Sequence, residues 1–147
     1  MKHFLYIFAT MFLCTTLLAC AKGRNGKLTS FEYRHDNGMV YGAGKSFSAR
    51  LSEDGTCVEI KIEKDLQVTT RTADLSFMDK LDAIISQYKM KKYKDYYKPV
   101  FEVLDGDTWG LSFGYSSGKR YESRGYVASP KNAREAIGAI ENLFLEK

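Results

Sequence analysis

The sequence predicts an α+β fold in which a single antiparallel sheet carries two helices packed on one face. Short segments of alternating apolar and polar residues begin near residue 28, and two later segments repeat apolar residues at helical spacing. Turn-forming residues separate these segments. The chain has 147 residues, of which 44% are hydrophobic. Because that is enough for one compact core and hardly for two, we expect residues 28–147 to form a single domain.

The clearest strand is CVEIKIE, whose aliphatic residues face one way and whose charged residues face the other. A turn at 63–65 leads into LQVTTR, where we expect Leu66 and Val68 to continue the apolar side of an antiparallel hairpin. The residues expected on the buried side of the first strands are Phe31, Tyr33, Phe47, Ala49, Leu51, Val58, Ile60 and Ile62.

Helical spacing appears twice. Ser76, followed three residues later by Asp79, has the form of a capping box and predicts a helix over 77–92. The dipeptide Ser129-Pro130 predicts the start of a second helix, near 130–145, because proline suits the first helical position. The stripes expected to lie on the sheet are Phe77, Leu81, Ile84, Ile85 and Tyr88 in the first helix and Ala133, Ile137, Ile140 and Phe144 in the second.

Between these helices, TWGLSFGYSSGKRYESRGY predicts a hairpin with a defined register. A three-residue turn over 116–118, with Gly118 in the left-handed position, pairs Phe113 with Tyr121 on the core side, where Trp109 also lies. The other face of the same hairpin then sets Gly110 opposite Arg124, Ser112 opposite Glu122 and Gly114 opposite Arg120.

The two strand-strand-helix units match at several positions. Six positions are identical, whereas chance would give about two or three identities over such a span. We therefore treat a tandem duplication as a hypothesis. The matched pairs, at an offset of 53 residues, are Leu51 and Leu104, Asp54 and Asp107, Arg71 and Arg124, Ser76 and Ser129, Ala83 and Ala136, and Ile84 and Ile137.

The N-terminus is of a different character. A short positive start precedes the apolar run FLYIFATMFLCTTLLA, which predicts a secretory signal peptide over 1–19 that is removed. Leu17-Leu18-Ala19-Cys20 resembles the bacterial lipobox, whose cysteine is acylated on its sulfur and becomes the new N-terminus. The resemblance implies lipid attachment at Cys20, through acyl chains such as palmitate. An ordinary signal peptide followed by a chance cysteine is the alternative.

The segment AKGRNGK after the cysteine predicts a flexible leash, so that 20–27 forms a lipidated, mobile N-terminus. Ala21 is not the aspartate that retains lipoproteins at the inner membrane of enterobacteria. No acidic run of the kind that sends Bacteroides-type lipoproteins to the cell surface follows. The resemblance therefore implies anchoring at the periplasmic face of the outer membrane.

The sequence offers no catalytic constellation. With Cys14 in the signal and Cys20 acylated, Cys57 has no intrachain disulfide partner. His3 belongs to the predicted signal peptide, so the mature chain has a single histidine, His35, in YRHDNG, where Asp-Asn-Gly indicates a turn. We interpret Asp105-Gly106-Asp107 as a turn rather than half of a calcium loop. Because there is also no nucleophile elbow or phosphate-binding loop, we predict no catalytic residue, metal or cofactor.

A longer pattern in the C-terminal part resembles one found in uncharacterised small lipoproteins and secreted proteins of the Bacteroides type. That family has no assigned activity, so the resemblance implies the fold and the compartment and no chemistry. The residues that carry it are Asp105, Gly106, Trp109, Leu111, Tyr115, Gly118, Ser123, Gly125, Tyr126 and Pro130.

We consider two functions. The first is a non-catalytic, membrane-tethered binding module for an envelope protein or glycan, which uses the face opposite the helices. The second is a hydrolase of unfamiliar type, with a carboxylate such as Glu122 or Asp107; the absence of a nucleophile–base pair favours the first. The candidate binding face consists of Arg120, Glu122, Arg124 and Ser112.

A second candidate patch follows the first helix. Lysines interleaved with tyrosines can bind phosphates, acidic glycans or lipid headgroups, and a solvated linker is the alternative. Nucleic acid is not expected as a partner, because 22 basic and 18 acidic residues give a net charge of only +4. The residues of this patch are Lys91, Lys92, Tyr93 and Lys94.

Overall fold

The structure, a computed structural model, describes residues 26–38 and 44–146. These residues form an α+β fold with one seven-stranded sheet and two α-helices, which confirms the predicted class. The strand order is β4-β3-β2-β1-β6-β7-β5, and all pairs are antiparallel except β5 with β7. The elements are β1 (Leu28–Asp36), β2 (Lys45–Leu51), β3 (Val58–Lys64), β4 (Gln67–Ala73), α1 (Ser76–Gln87), a 3-10 turn (Met90–Lys92), β5 (Tyr96–Tyr97), β6 (Thr108–Tyr115), β7 (Arg120–Tyr126) and α2 (Ala133–Leu145).

The core is organised around Phe144 of α2. Its ring centroid lies 6.1 Å from that of Phe31 in β1, 5.4 Å from that of Phe47 in β2 and 5.1 Å from that of Phe77 in α1. Such a buried aromatic cluster contributes both apolar area and favourable ring geometry. Other fully buried side chains are Val58, Ile60, Leu81, Ile85, Met90, Phe113 and Ile140.

The β6–β7 hairpin has the predicted register. Phe113 pairs with Tyr121, and their rings stack with centroids 5.1 Å apart. The turn closes through the Tyr115 N–H, which donates to the Lys119 carbonyl at 2.9 Å, while Gly118 has a φ of +83°. The expected pairs Gly110 with Arg124, Ser112 with Glu122 and Gly114 with Arg120 are all present.

The β3–β4 hairpin differs from the prediction. Its turn is formed by two residues, Asp65 and Leu66, with φ values of +50° and +66°. This tight turn sets Val68 opposite Glu63, on the polar side of the sheet. Leu66 is 67% exposed and Val68 55% exposed, so the expectation that they continue the apolar face is wrong.

The first helix also begins and ends at residues other than those predicted. Ser76 is already helical and no side chain caps the helix, so the predicted capping box with Asp79 is wrong. The backbone closes this end instead, because the Phe77 N–H donates to the Asp74 carbonyl at 3.0 Å. α1 stops at Gln87, ahead of Lys89, whose left-handed φ of +54° separates it from the 3-10 turn.

The second helix begins at Ala133 rather than Pro130, so the predicted Ser129-Pro130 start is wrong. Pro130 belongs to a preceding turn, in which its carbonyl accepts the Ala133 N–H at 3.0 Å. Asn132 joins this end of α2 to the chain after α1: its amide donates to the Tyr88 carbonyl at 2.7 Å, and its amide oxygen accepts the Tyr93 hydroxyl at 3.1 Å.

In the described ranges, neither helix offers the long apolar stretch that a bilayer crossing requires.

Candidate functional site

The face of the sheet opposite the buried aromatic rings is polar, and we call it the open face. Alternate side chains of a strand point to opposite faces, so the residues between the buried ones belong to it. Strand pairing aligns them in three rows. From β4 to β7 the rows are Thr72, Glu59, Arg50, Ser30, Gly114 and Arg120; Thr70, Lys61, Ser48, Glu32, Ser112 and Glu122; and Val68, Glu63, Ser46, Arg34, Gly110 and Arg124.

One groove of the open face, with a volume of about 760 Å³, brings together all four residues predicted for the binding face. Its floor is low at Gly110, where an added Cβ would contact nothing within 4 Å. The predicted members are Ser112, Arg120, Glu122 and Arg124, and they are joined by Glu32, Arg34 and Asp95, which sequence reasoning missed.

The charges of this groove are partly paired. The Arg120 Nε donates to Glu122 Oε1 at 2.7 Å, and Arg34 Nη2 lies 3.7 Å from Glu32 Oε1. All four side chains are at least half exposed, so neither ion pair adds much to stability. The Arg124 guanidinium lies 5.6 Å from the centre of the Tyr96 ring. The groove therefore presents guanidinium groups that can exchange an exposed partner for a ligand.

A second groove of about 750 Å³ extends the polar surface across β1 to β4. It shares Glu32, Ser112 and Arg120 with the first groove, so the two are continuous. The alternation of the first strands signalled Ser30, Ser48, Arg50, Glu59 and Lys61 in the sequence. Thr70 and Thr72 also line the groove but were missed, because they share the face of Val68, which was expected to be apolar. Arg71 lines the groove as well.

The lysine and tyrosine patch is only partly on the surface. Lys91 Nζ lies 3.7 Å from Asp82 Oδ1 and 4.4 Å from the centre of the Tyr115 ring, and its side chain is 27% exposed. Burial raises the pKa of Tyr93 to about 12, and its hydroxyl is bound to Asn132. Lys92 and Lys94 remain exposed. The binding role of this patch stays a prediction.

A separate cleft lies on the other side of the sheet, between the strands and α2, and we call it the α2 cleft. Its volume is about 540 Å³. Helix residues spaced by three and four, from Arg134 to Glu141, face it. Its lining consists of Tyr33, His35, Lys45, Tyr93, Asp107, Trp109, Leu111, Val127, Ser129, Ala133, Arg134, Ile137, Gly138 and Glu141.

The α2 cleft contains a partly buried ion pair and a contact between a histidine and a carboxylate. Lys45 Nζ donates to Glu141 Oε2 at 2.6 Å, with the side chains 29% and 22% exposed, and His35 Nε2 lies 3.5 Å from Asp107 Oδ2. Burial, and then the charges of Glu141 and Asp107, raise the pKa of Tyr33 to about 12, so its hydroxyl stays protonated. The cleft therefore combines aromatic surface with several donors and acceptors.

Sequence analysis did not predict this cleft, because it assigned His35 and Asp107 to two separate turns. His35 lies within β1, so the turn begins only after Asp36, and Asp107 reaches it because Asp36 pairs with Thr108. The alternation in β1 could have predicted the position of His35, because it puts Phe31 and Tyr33 on one side and His35 continues the same pattern.

Cys57 is half-buried and free, and its N–H donates to the Ser52 hydroxyl at 3.1 Å. In the described part of the chain, no group of three or more His, Cys, Asp or Glu side chains is placed to hold a metal ion. The signal peptide, Cys20 and most of the leash lie outside the described residues.

Comparison with models of known protein families and with curated proteins gives no match. The resemblance to Bacteroides-type lipoproteins stays a prediction.

Proposed function

We propose that the protein is a non-catalytic binding module, tethered through lipid on Cys20 to the periplasmic face of the outer membrane. The open face holds an envelope partner, a protein or a glycan. The observation that carries this proposal is the groove that gathers Ser112, Arg120, Glu122 and Arg124 on one continuous polar surface. Guanidinium groups beside a low floor suit a ligand that approaches the sheet closely.

The proposal includes a finer view of the architecture, in which both helices cover the apolar face and leave the other open. Two contacts support it: Phe144 of α2 packs on Phe31 and Phe47, and the Tyr115 hydroxyl of β6 donates to Asp82 of α1. The order β3-β4-α1 followed by β6-β7-α2 agrees with a tandem duplication, which remains a hypothesis.

The tether is tested by Cys20→Ala. We expect this variant to stay unprocessed or to become soluble, because acyl chains supply the membrane affinity. Cys14→Ala is the matched control, since it removes a cysteine from the same apolar run. The measurement is partitioning into a detergent phase after cell fractionation. Membrane fractionation of the Cys20→Ala protein with cleavage at the same site would contradict the lipid anchor.

The open face is tested by photo-crosslinking in cells from a reactive residue at position 112, with the same residue at Lys131 as a control. We expect a discrete crosslinked partner from position 112 only. The double variant Arg120→Glu, Arg124→Glu should abolish it, whereas Lys80→Glu, Lys131→Glu, which makes the same charge change on exposed positions, should not. Retention of the crosslink by the folded Arg120 and Arg124 variant would show that these arginines do not hold the partner. A protein that gives no crosslink from position 112 would exclude this face and direct attention to Lys92 and Lys94.

The alternative, an envelope hydrolase, has one supporting observation. Ser129, His35 and Asp107 all line the α2 cleft, and the last two are paired. However, no hydrogen bond joins Ser129 to His35 among the described residues, and a base must reach its nucleophile. Labelling by a fluorophosphonate that disappears in Ser129→Ala would establish a serine hydrolase; an unlabelled protein would exclude Ser129 as its nucleophile.

A further inference from the structure

The α2 cleft lies apart from the open face and plays no part in holding the proposed partner. We infer that it is a second binding site, which takes a small, uncharged, hydroxyl-rich molecule of the size of one or two sugar rings. Its volume of about 540 Å³ is in the range of small-ligand pockets.

Aromatic side chains provide the apolar part of the site. Tyr33, Tyr93 and Trp109 line the cleft together with Leu111 and other aliphatic residues. Two of the aromatic rings are fixed by the fold: the Trp109 indole donates to the Ala128 carbonyl at 2.8 Å, and the Tyr93 hydroxyl donates to Asn132. Rigid aromatic surfaces suit the flat C–H faces of a sugar ring and lose little entropy on binding.

The charges of the cleft favour a neutral ligand. Lys45 is paired with Glu141 and His35 with Asp107, so an anion would meet two carboxylates and a cation would meet Lys45 and the nearby Arg134. A neutral hydroxyl does not need to break either pair. The Lys45 ammonium has three hydrogens and each carboxylate has several lone pairs, so both pairs keep capacity for further hydrogen bonds.

Gly138 keeps the cleft open. It stands in the interior of α2, where glycine costs about 0.5–1 kcal/mol relative to alanine. Packing does not require it, because an added Cβ at this position would contact nothing within 4 Å. A residue that weakens its helix and is not required by packing is expected at functional sites. Here its effect is to leave empty the space that a larger side chain would occupy beside the cleft.

The test is a calorimetric titration of the full chain, purified from cells in a detergent without a sugar headgroup. The probes are glucose, galactose, mannose, N-acetylglucosamine, maltose and cellobiose, with glucuronate and glucosamine as charged analogues of the same ring. We expect saturable binding of at least one neutral probe and weaker binding of the charged analogues. Trp109 is the one tryptophan of the chain, so its emission should change with the same saturation.

Two variants locate the site. Gly138→Leu should fill the cleft and weaken binding at least tenfold while leaving the melting temperature unchanged or higher. Gly110→Leu makes the same change in open space on the other face and should bind the sugar as the wild type does. Asp107→Asn, which keeps the side-chain shape and removes the charge, gives a second reading and should weaken binding about tenfold through loss of a charge-assisted hydrogen bond.

Three results would overturn the inference: no binding by any neutral probe, charged analogues that bind as tightly as their parents, or full affinity in both Gly138→Leu and Asp107→Asn. These outcomes are separate from those of the open-face experiment. The Gly138 variant should keep the crosslink from position 112, and the Arg120 and Arg124 reversal should keep sugar binding, so either site can fail alone.

Discussion

The indole of Trp109 lies over the backbone of Gly125, its neighbour across the β6–β7 hairpin. A Cβ at position 125 would lie 2.2 Å from the indole nitrogen and 2.4 Å from the Ala128 carbonyl oxygen, to which that nitrogen donates. Neither distance is possible for real atoms, so only glycine fits. This contact accounts for the presence of a glycine at position 125 opposite Trp109.

Gly125→Ala should therefore lower the free energy of unfolding by about 1–3 kcal/mol, because the methyl group must displace a ring and a backbone carbonyl. The measurement is chemical denaturation. Gly110→Ala is the matched control: it lies in β6 of the same hairpin, faces open space and should change stability by less than about 0.5 kcal/mol. Equal stabilities of the two variants would show that Trp109 does not constrain position 125.

The hairpin of Trp109 and Gly125 was predictable because its register depends on local chemistry. Gly118 supplies a left-handed residue, the turn length follows, and Phe113 then falls opposite Tyr121. The β3–β4 turn gave no such signal. Its left-handed positions are taken by Asp65 and Leu66, and a leucine in that conformation is uncommon, so sequence reasoning placed Leu66 in the strand.

The α2 cleft shows the other limit of sequence reasoning. Its paired residues, His35 with Asp107 and Lys45 with Glu141, lie far apart in the chain and meet only through strand order and helix placement. Residue type alone did not single them out, since histidine, lysine and carboxylates are ordinary on surfaces. The four predicted residues of the open face, Ser112, Arg120, Glu122 and Arg124, could be predicted because one hairpin carries all of them.

A second prediction concerns Tyr115, whose hydroxyl donates to Asp82. Tyr115→Phe should lower stability by about 1–2 kcal/mol, because the partly buried carboxylate loses a donor. Tyr121→Phe is the control: that ring stacks on Phe113, and its hydroxyl makes no hydrogen bond to the described residues. Equal losses in the two variants would show that the Asp82 contact contributes nothing.

Alkaline titration gives an independent reading of the same contact. Burial, and then the hydrogen bond and charge of Asp82, raise the pKa of Tyr115 above its usual value of 10.0. The folded state therefore holds the phenol proton where the unfolded chain releases it, so this stabilisation is complete below pH 10 and is lost as the pH rises further. Thermal unfolding from about pH 9 to 11 should show a smaller alkaline loss in Tyr115→Phe than in the wild type. Parallel curves would contradict the coupling.

A third prediction concerns Asp54 in the loop between β2 and β3. Its Oδ1 accepts hydrogen bonds from the Ser52 hydroxyl at 2.7 Å, the Thr56 N–H at 3.0 Å and the Thr56 hydroxyl at 2.8 Å. These bonds lower its pKa below the usual 3.8. Because the folded pKa is depressed, the stabilisation is present above pH 3.8 and is lost as the pH falls through the lower folded value.

Asp54→Ala should thus lower the melting temperature at neutral pH, and the difference from wild type should shrink as the solution is acidified below that range. The neighbouring exposed residue gives the control, since Glu53→Ala removes a carboxylate from the same loop. A difference that stays constant down to about pH 2 would show that the loop depends on the side chain's shape rather than its charge.

The final prediction isolates the cost of Gly138. In Gly138→Ala the methyl group enters open space, the backbone is helical, and the unfolded chain loses conformational freedom, so stability should rise by about 0.5–1 kcal/mol. Gly114→Ala is the contrasting variant, since its Cβ would lie 2.9 Å from the Ser30 Oγ and should bring no gain. A loss of stability in Gly138→Ala would mean that α2 needs glycine for packing. A gain would show that the packing of α2 does not require glycine at this position.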